Sequence, residues 1–74
     1  MMMYFKVIQR TEFDALEGSV QMATNQIIFC FIARTMAEAI TLVEKLKDGG
    51  ILDLRGNYVI EEATQEEYLA FIEG

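Results

Sequence analysis

Seven consecutive residues, Ile27-Ile28-Phe29-Cys30-Phe31-Ile32-Ala33, carry no charged or amide side chain, and this run constrains the fold more than any other feature of the chain. It suits a strand and falls far short of the roughly 20 residues that cross a bilayer as a helix. Its β-branched and aromatic content points the same way. Since both sets of alternating side chains are apolar, the run predicts a strand covered on both faces and placed centrally in a sheet.

A helix is expected directly after it. Thr35-Met36-Ala37-Glu38 is a T-x-x-E box, in which the threonine hydroxyl and the glutamate carboxylate each accept a backbone N–H at a helix start. Met36, Ala39, Ile40, Val43 and Leu46 then recur at helical spacing, with Glu38, Thr41, Lys45 and Asp48 outward. Gly49-Gly50 can take the left-handed conformation of a C-terminal cap.

Residues 4–10 read as a strand with Phe5 and Val7 on one face and Tyr4, Lys6 and Ile8 on the other. Residues 11–26 read as a loop, with a helical turn over 12–17 closed by Gly18, a short strand at 19–23, and Thr24-Asn25 as the turn that pairs it with the next strand. Ile51-Leu52-Asp53-Leu54 and Tyr58-Val59-Ile60-Glu61 flank Arg55-Gly56-Asn57 and predict a hairpin. Thr64-Gln65-Glu66-Glu67 is a second T-x-x-E box, opening a short terminal helix whose Tyr68, Leu69, Phe71 and Ile72 make a broad apolar face. The order β-(β)-β-α-β-β-α describes an α+β fold: a small, mostly antiparallel sheet of three to five strands against one long and one short helix, in a single compact domain over residues 1–74.

A chain of 74 residues buries only about 60% of the surface its unfolded form exposes, and small domains compensate with disulfides, metals, oligomerisation or dense packing. With one cysteine and no histidine, an internal disulfide is impossible and a structural zinc site lacks its usual ligands. Dense packing or self-association must carry the stability, so a homodimer is expected. The 53% hydrophobic content argues against disorder. The first residues, Met1-Met2-Met3-Tyr4-Phe5-Lys6, have no features of a signal peptide, and a cytoplasmic setting is expected.

The net charge of −6 is unevenly placed: residues 1–37 hold three bases and three acids, and residues 38–74 hold three bases and nine acids. Such a field repels phosphate backbones and attracts basic surfaces, which speaks against direct nucleic-acid binding and for a basic protein partner. Conventional acid–base catalysis has no histidine to use. Cys30, inside an apolar run with no neighbouring cation in sequence, reads as a core residue and not a nucleophile. Glu62 and Glu66 match no calcium-loop spacing, and acids at a helix start are favoured by the helix dipole without any metal. Asp48-Gly49-Gly50 lacks the phosphate-loop pattern and follows a helix instead of preceding one. No cofactor or metal site is expected, and the chain does not read as an enzyme.

The functional expectation is therefore a small acidic protein-binding module. It would be a regulator or inhibitor whose Glu61, Glu62, Glu66, Glu67 and Glu73 face a basic surface that ordinarily holds nucleic acid, as in small inhibitors encoded by mobile elements. That parallel rests on size and charge. The alternative is a structural or accessory protein that forms a homodimer through an apolar edge or helix face. An apolar excess around residues 1–4, Phe13 and Phe71 is expected to remain as an exposed contact patch. An enzyme working with carboxylates alone would need a pocket that gathers two or more acids.

Overall fold

A computed structural model describes residues 1–16, 20–54 and 56–74, with 12–16 and 20–22 described by their backbone pairing. The strands are β1 (Met3–Leu16), β2 (Val20–Ala33) and β3 (Tyr58–Glu62), and the helices are α1 (Met36–Asp48) and α2 (Gln65–Glu73). The fold is α+β, as expected, with an antiparallel sheet of order β2-β1-β3.

Strand β1 is the axis of the molecule, since both other strands pair with it. Phe5 stands opposite Phe31 on β2 and Glu62 on β3, and Val7 stands opposite Phe29 and Ile60. Alternation sends Phe5 and Val7 to one face and Tyr4 and Lys6 to the other. The first face meets α1: Phe5, Ala33 and Ala39 form a fully buried cluster, with Met3, Phe31, Leu42 and Ile60 packed around it. The second face meets α2, where the Tyr4 and Tyr68 rings lie 4.9 Å apart and Lys6 bonds Glu67. Each helix thus covers one side of the same strand.

The 27–33 run is a strand, but it lies at the sheet edge and not at its centre. Its apolar character on both faces comes from what lies above and below it, which says nothing of a strand alongside. Cys30 and Ala33 are buried and Phe29 and Phe31 half-buried, whereas Ile27 and Ile32 are 38% and 37% exposed.

Residues 11–16 and 24–26, expected as loop and turn, are instead strand, and the short strand expected at 19–23 is, over 20–23, the start of a β2 that runs unbroken to Ala33. Thr11 pairs with Thr24 and Arg10 with Asn25, so Thr24-Asn25 is no turn, and residues 12–16 form no helical turn. β1 ends at Leu16 and β2 begins at Val20, and the expected closure at Gly18 lies outside the described residues. Two extra residues interrupt the ladder: Ile28, between the pairs Val7–Phe29 and Ile8–Ile27, and Ala15, between Asp14–Gln21 and Leu16–Val20. Such bulges bend and twist a ribbon. Because β3 reaches only as far as Gln9, the outer part of the hairpin is a two-stranded arm. It makes the molecule long, 49 × 28 × 20 Å, with a radius of gyration of 14.2 Å where a compact chain of this length would have about 11 Å.

The second expected hairpin does not form. Ile51 and Leu52 donate their N–H groups to the Leu46 carbonyl, at 2.9 and 3.1 Å, so they close α1 instead of starting a strand. With Gly50 N–H on the Lys47 carbonyl and Gly50 at φ +76°, this is the paired-bond helix ending that glycine allows. Residues 53 and 54 are irregular, and Asn57 gives its carbonyl to Arg10 N–H, which directs β3 onto β1. Gly56 takes a left-handed conformation at φ +69°, and Arg55 lies outside the described residues.

Both helices start where the T-x-x-E boxes put them. At α2 the box is complete: Thr64 Oγ1 accepts from Glu67 N–H at 3.1 Å, and Glu67 Oε1 accepts from Thr64 N–H at 3.0 Å. At α1 Thr35 Oγ1 accepts from Glu38 N–H at 3.1 Å, while the Glu38 carboxylate lies 3.7 Å from Arg34 Nε. The face α1 buries is Ala39 and Val43, flanked by half-buried Leu42 and Leu46; Met36 and Ile40, expected inside, are exposed. Lys47, in the last turn, places its ammonium 5.3 Å from the Tyr58 ring centre and ties the helix end to β3.

Candidate binding surfaces

The five acids named from the sequence divide into different environments. Glu61 and Glu62 are neighbours on β3 and project to opposite faces, Glu61 opposite Lys6 and Glu62 opposite Phe5. Both are exposed, as are Glu66 in the first turn of α2 and Glu73 in its last turn. Glu67 is different. Its Oε2 lies 2.7 Å from Lys6 Nζ, its Oε1 accepts Thr64 N–H, and its side chain is only 30% exposed. The hydrogen bond from Lys6, then that from the Thr64 backbone, hold its carboxyl below the usual glutamate range. Glu67 is therefore occupied in joining α2 to β1.

Cys30 lies beneath the same helix. Its Sγ donates to the Glu67 carbonyl oxygen at 4.0 Å, and it is buried. Burial pushes its thiol up, the Glu67 charge adds to the rise, and only Lys6 opposes it. This is the environment of an inert thiol.

A row of rings runs from the core to the surface. Phe5 and Phe31 are 5.9 Å apart, Phe31 and Phe29 5.7 Å, and Phe71 of α2 meets Phe29 edge-on at 5.7 Å. The far end of the row is exposed, with Leu69, Phe71 and Ile72 all open to solvent. Of the expected N-terminal patch, Met1 and Met2 are exposed while Met3 and Tyr4 are half-buried; the Phe13 side chain lies outside what is described.

Two open clefts flank β2. One of about 450 Å³ is lined by Gln9, Thr11, Ile28, Leu52 and Asp53, and one of about 300 Å³ by Ile27, Glu67, Ala70 and Phe71. Each holds a single carboxylate, and neither gathers the pair that acid–base chemistry on carboxylates alone would use. Among the described residues no three Asp, Glu, Cys or His side chains converge as metal ligands, and no helix is long and apolar enough to cross a membrane.

No protein family, no characterised protein and no solved structure matches this chain.

Two features of the surface were not found from sequence. One is the anchoring role of Lys6, whose partner is 61 residues away. The other is the outer side of β2. The absence of charge from that strand is readable in the sequence, but it acquires meaning only once the strand is known to be an edge.

Proposed function

We propose that this chain is a non-enzymatic protein-interaction module that presents the β3–α2 side to a basic surface on a partner protein, acting as a regulator or inhibitor. The supporting observation is the exposure of Glu61, Glu62, Glu66 and Glu73 on two consecutive elements, in a segment, residues 56–74, that contains no lysine or arginine. Glu67 belongs to the same segment but is neutralised by Lys6, so it supports the surface from within. Four exposed carboxylates, with Glu61 and Glu62 on opposite faces of the β3 edge and Glu66 and Glu73 on α2, attract a site that ordinarily holds phosphates, and this favours a nucleic-acid-binding protein as the partner over nucleic acid itself. The reading supposes a cytoplasmic setting, where a lone thiol stays reduced.

The test uses a partner captured from the source cell. Replacing Glu61, Glu62, Glu66 and Glu73 together by Gln preserves shape and leaves the Lys6–Glu67 bond in place. The association rate should fall at low salt, and its dependence on ionic strength should flatten, because opposite charges act mainly on the rate of encounter. A variant that associates as fast, with the same salt dependence, would show that these acids are only a solvated surface.

A further inference from the structure

Natural sheets shield their edges with charged residues, prolines, bulges or covering segments, because an open edge is a template for another strand. β2 is an edge of 14 residues, and in a chain of which 24% is charged, all 14 are uncharged. Its shielding is confined, among the described residues, to the bulge at Ile28 and to Phe71 of α2 against Phe29. Among the described residues no segment besides β1 makes a backbone hydrogen bond to it. The opposite edge, β3, is short and bears Glu61 and Glu62.

We infer that the outer edge of β2 pairs antiparallel with the same edge of a second copy of this chain, centred on residues 23–27, to join two three-stranded sheets into one.

Electrostatics selects the occupant. A molecule of net charge −6 repels its own copy, so two copies can meet only where neither brings charge to the seam. Joining through β3 would place Glu61 and Glu62 of both copies together; joining through β2 sends the two β3 strands to opposite outer edges. A basic partner, by contrast, has no reason to choose the one strand that carries no acid.

Symmetry sharpens the point. Two identical antiparallel strands in one sheet are related by a two-fold axis perpendicular to it, which keeps each face on its own side. Paired residues then share a face, and within a regular stretch one residue must stand opposite its own copy. A charge there would face itself, and β2 has none to place.

Sterics chooses the segment. α1 and α2 cover the sheet beside residues 29–33, with Phe71 against Phe29, and the end of α2 reaches as far as a cleft bordered by Ile27. Ala23, Thr24, Asn25, Gln26 and Ile27 are exposed. A seam centred on them sets the helix-covered end of each strand beside the arm of the other, which offsets the two pairs of helices along the strands. The inference does not rest on the acidic partner surface, whose Glu61 and Glu62 lie on the other edge and whose Glu66 and Glu73 lie on α2.

Sedimentation over a dilution series is the first test, and the expected result is a dimer that dissociates on dilution. Thr24→Lys with Gln26→Lys should sediment as a monomer with an unchanged circular-dichroism spectrum. Those lysines bring the net charge from −6 to −4, so general repulsion would relax; loss of the dimer then reports a clash at the seam. The second test places single cysteines at 23, 24, 25, 26 and 27 in a Cys30→Ala background under mild oxidation. Opposed strand residues have Cα atoms about 4.5–5.5 Å apart, within disulfide range, so one position should give covalent dimer in preference to its neighbours. A wild type that is monomeric at every concentration overturns the inference, and this includes the case in which another protein's strand fills the edge. A dimer that survives the lysines, or that cross-links at none of the five positions, overturns it too. None of these variants touches the four exposed acids, so the salt dependence of partner association is read separately.

Discussion

Lys6 Nζ lies 2.7 Å from Glu67 Oε2, and this one contact joins the central strand to the C-terminal helix across 61 positions of sequence. Because Lys6 is 16% exposed and Glu67 30%, the bond is screened less than a surface pair. It also fixes the helix that roofs Cys30.

The bond gives stability a dependence on acid. Glu67 has its carboxyl lowered in the folded state, so between that value and the ordinary glutamate value of about 4.3 the unfolded chain binds more protons. Stability from this group is fully present above the ordinary value and is lost as pH falls through the folded one. Glu67→Gln keeps the shape and removes the charge. Its denaturation midpoint should lie below wild type at neutral pH, and the gap should close as the pH is lowered past the glutamate range. A gap that is constant with pH would show that the carboxylate contributes packing alone.

Cys30 should resist thiol reagents in the native protein. Burial and the Glu67 charge both disfavour its thiolate, and the sulfur sits under α2. Labelling should occur at the rate of global unfolding and accelerate with denaturant. Rapid labelling without denaturant would mean that α2 lifts from the sheet far more readily than its contacts imply.

The caps should behave differently from one another. Thr35→Ala removes one bond at the start of α1 and should cost about 1 kcal/mol. Thr64→Ala should cost a similar amount and, in addition, be non-additive with Lys6→Met, because Thr64 and Lys6 share Glu67 as partner. Thr35→Ala and Lys6→Met share no partner and should add. Denaturant midpoints of the singles and doubles check this, and additivity in both pairs would separate the capping box from the Lys6 bond.

These contacts show where a linear sequence is legible. The capping boxes, the apolar helix face at Ala39 and Val43, and the strand at 27–33 were readable because each is a local pattern tied to burial. The lateral position of that strand was not, since alternation reports what covers a face and is silent on which strand lies beside it. The arm was missed for a related reason: Thr11, Thr24, Asn25 and Gln26 are exposed and polar, and backbone pairing holds them. Ile51 and Leu52 misled because their spacing suits a strand while their N–H groups are already spent on the end of α1. Among the acids, the sequence marked Glu67 as a cap but could not reveal that Lys6 removes it from the exposed set.

Strand β1 should itself divide into two stabilities. Residues 5–9 pair on both sides, and the sheet around them lies between two helices, with Phe5 and Val7 fully buried. Opening any of these amides means breaking the core, so their hydrogen exchange should track global unfolding. Residues 11–16 pair with β2 alone, beyond the reach of β3, and an isolated two-stranded ribbon is marginal in water. Their amides should exchange at least tenfold faster, by local opening that denaturant scarcely accelerates. Arg10 marks the boundary, since its N–H is held by the Asn57 carbonyl at 3.0 Å. The measurement is best made on the dissociated chain, at concentrations where sedimentation shows a monomer. Raising the concentration should then slow exchange along the arm, because a second copy on β2 turns a two-stranded ribbon into a four-stranded one. Arm amides that are as slow as those of residues 5–9 in the monomer would show that the arm is held by contacts within its own chain, and the reason for leaving its edge uncharged would have to be sought elsewhere.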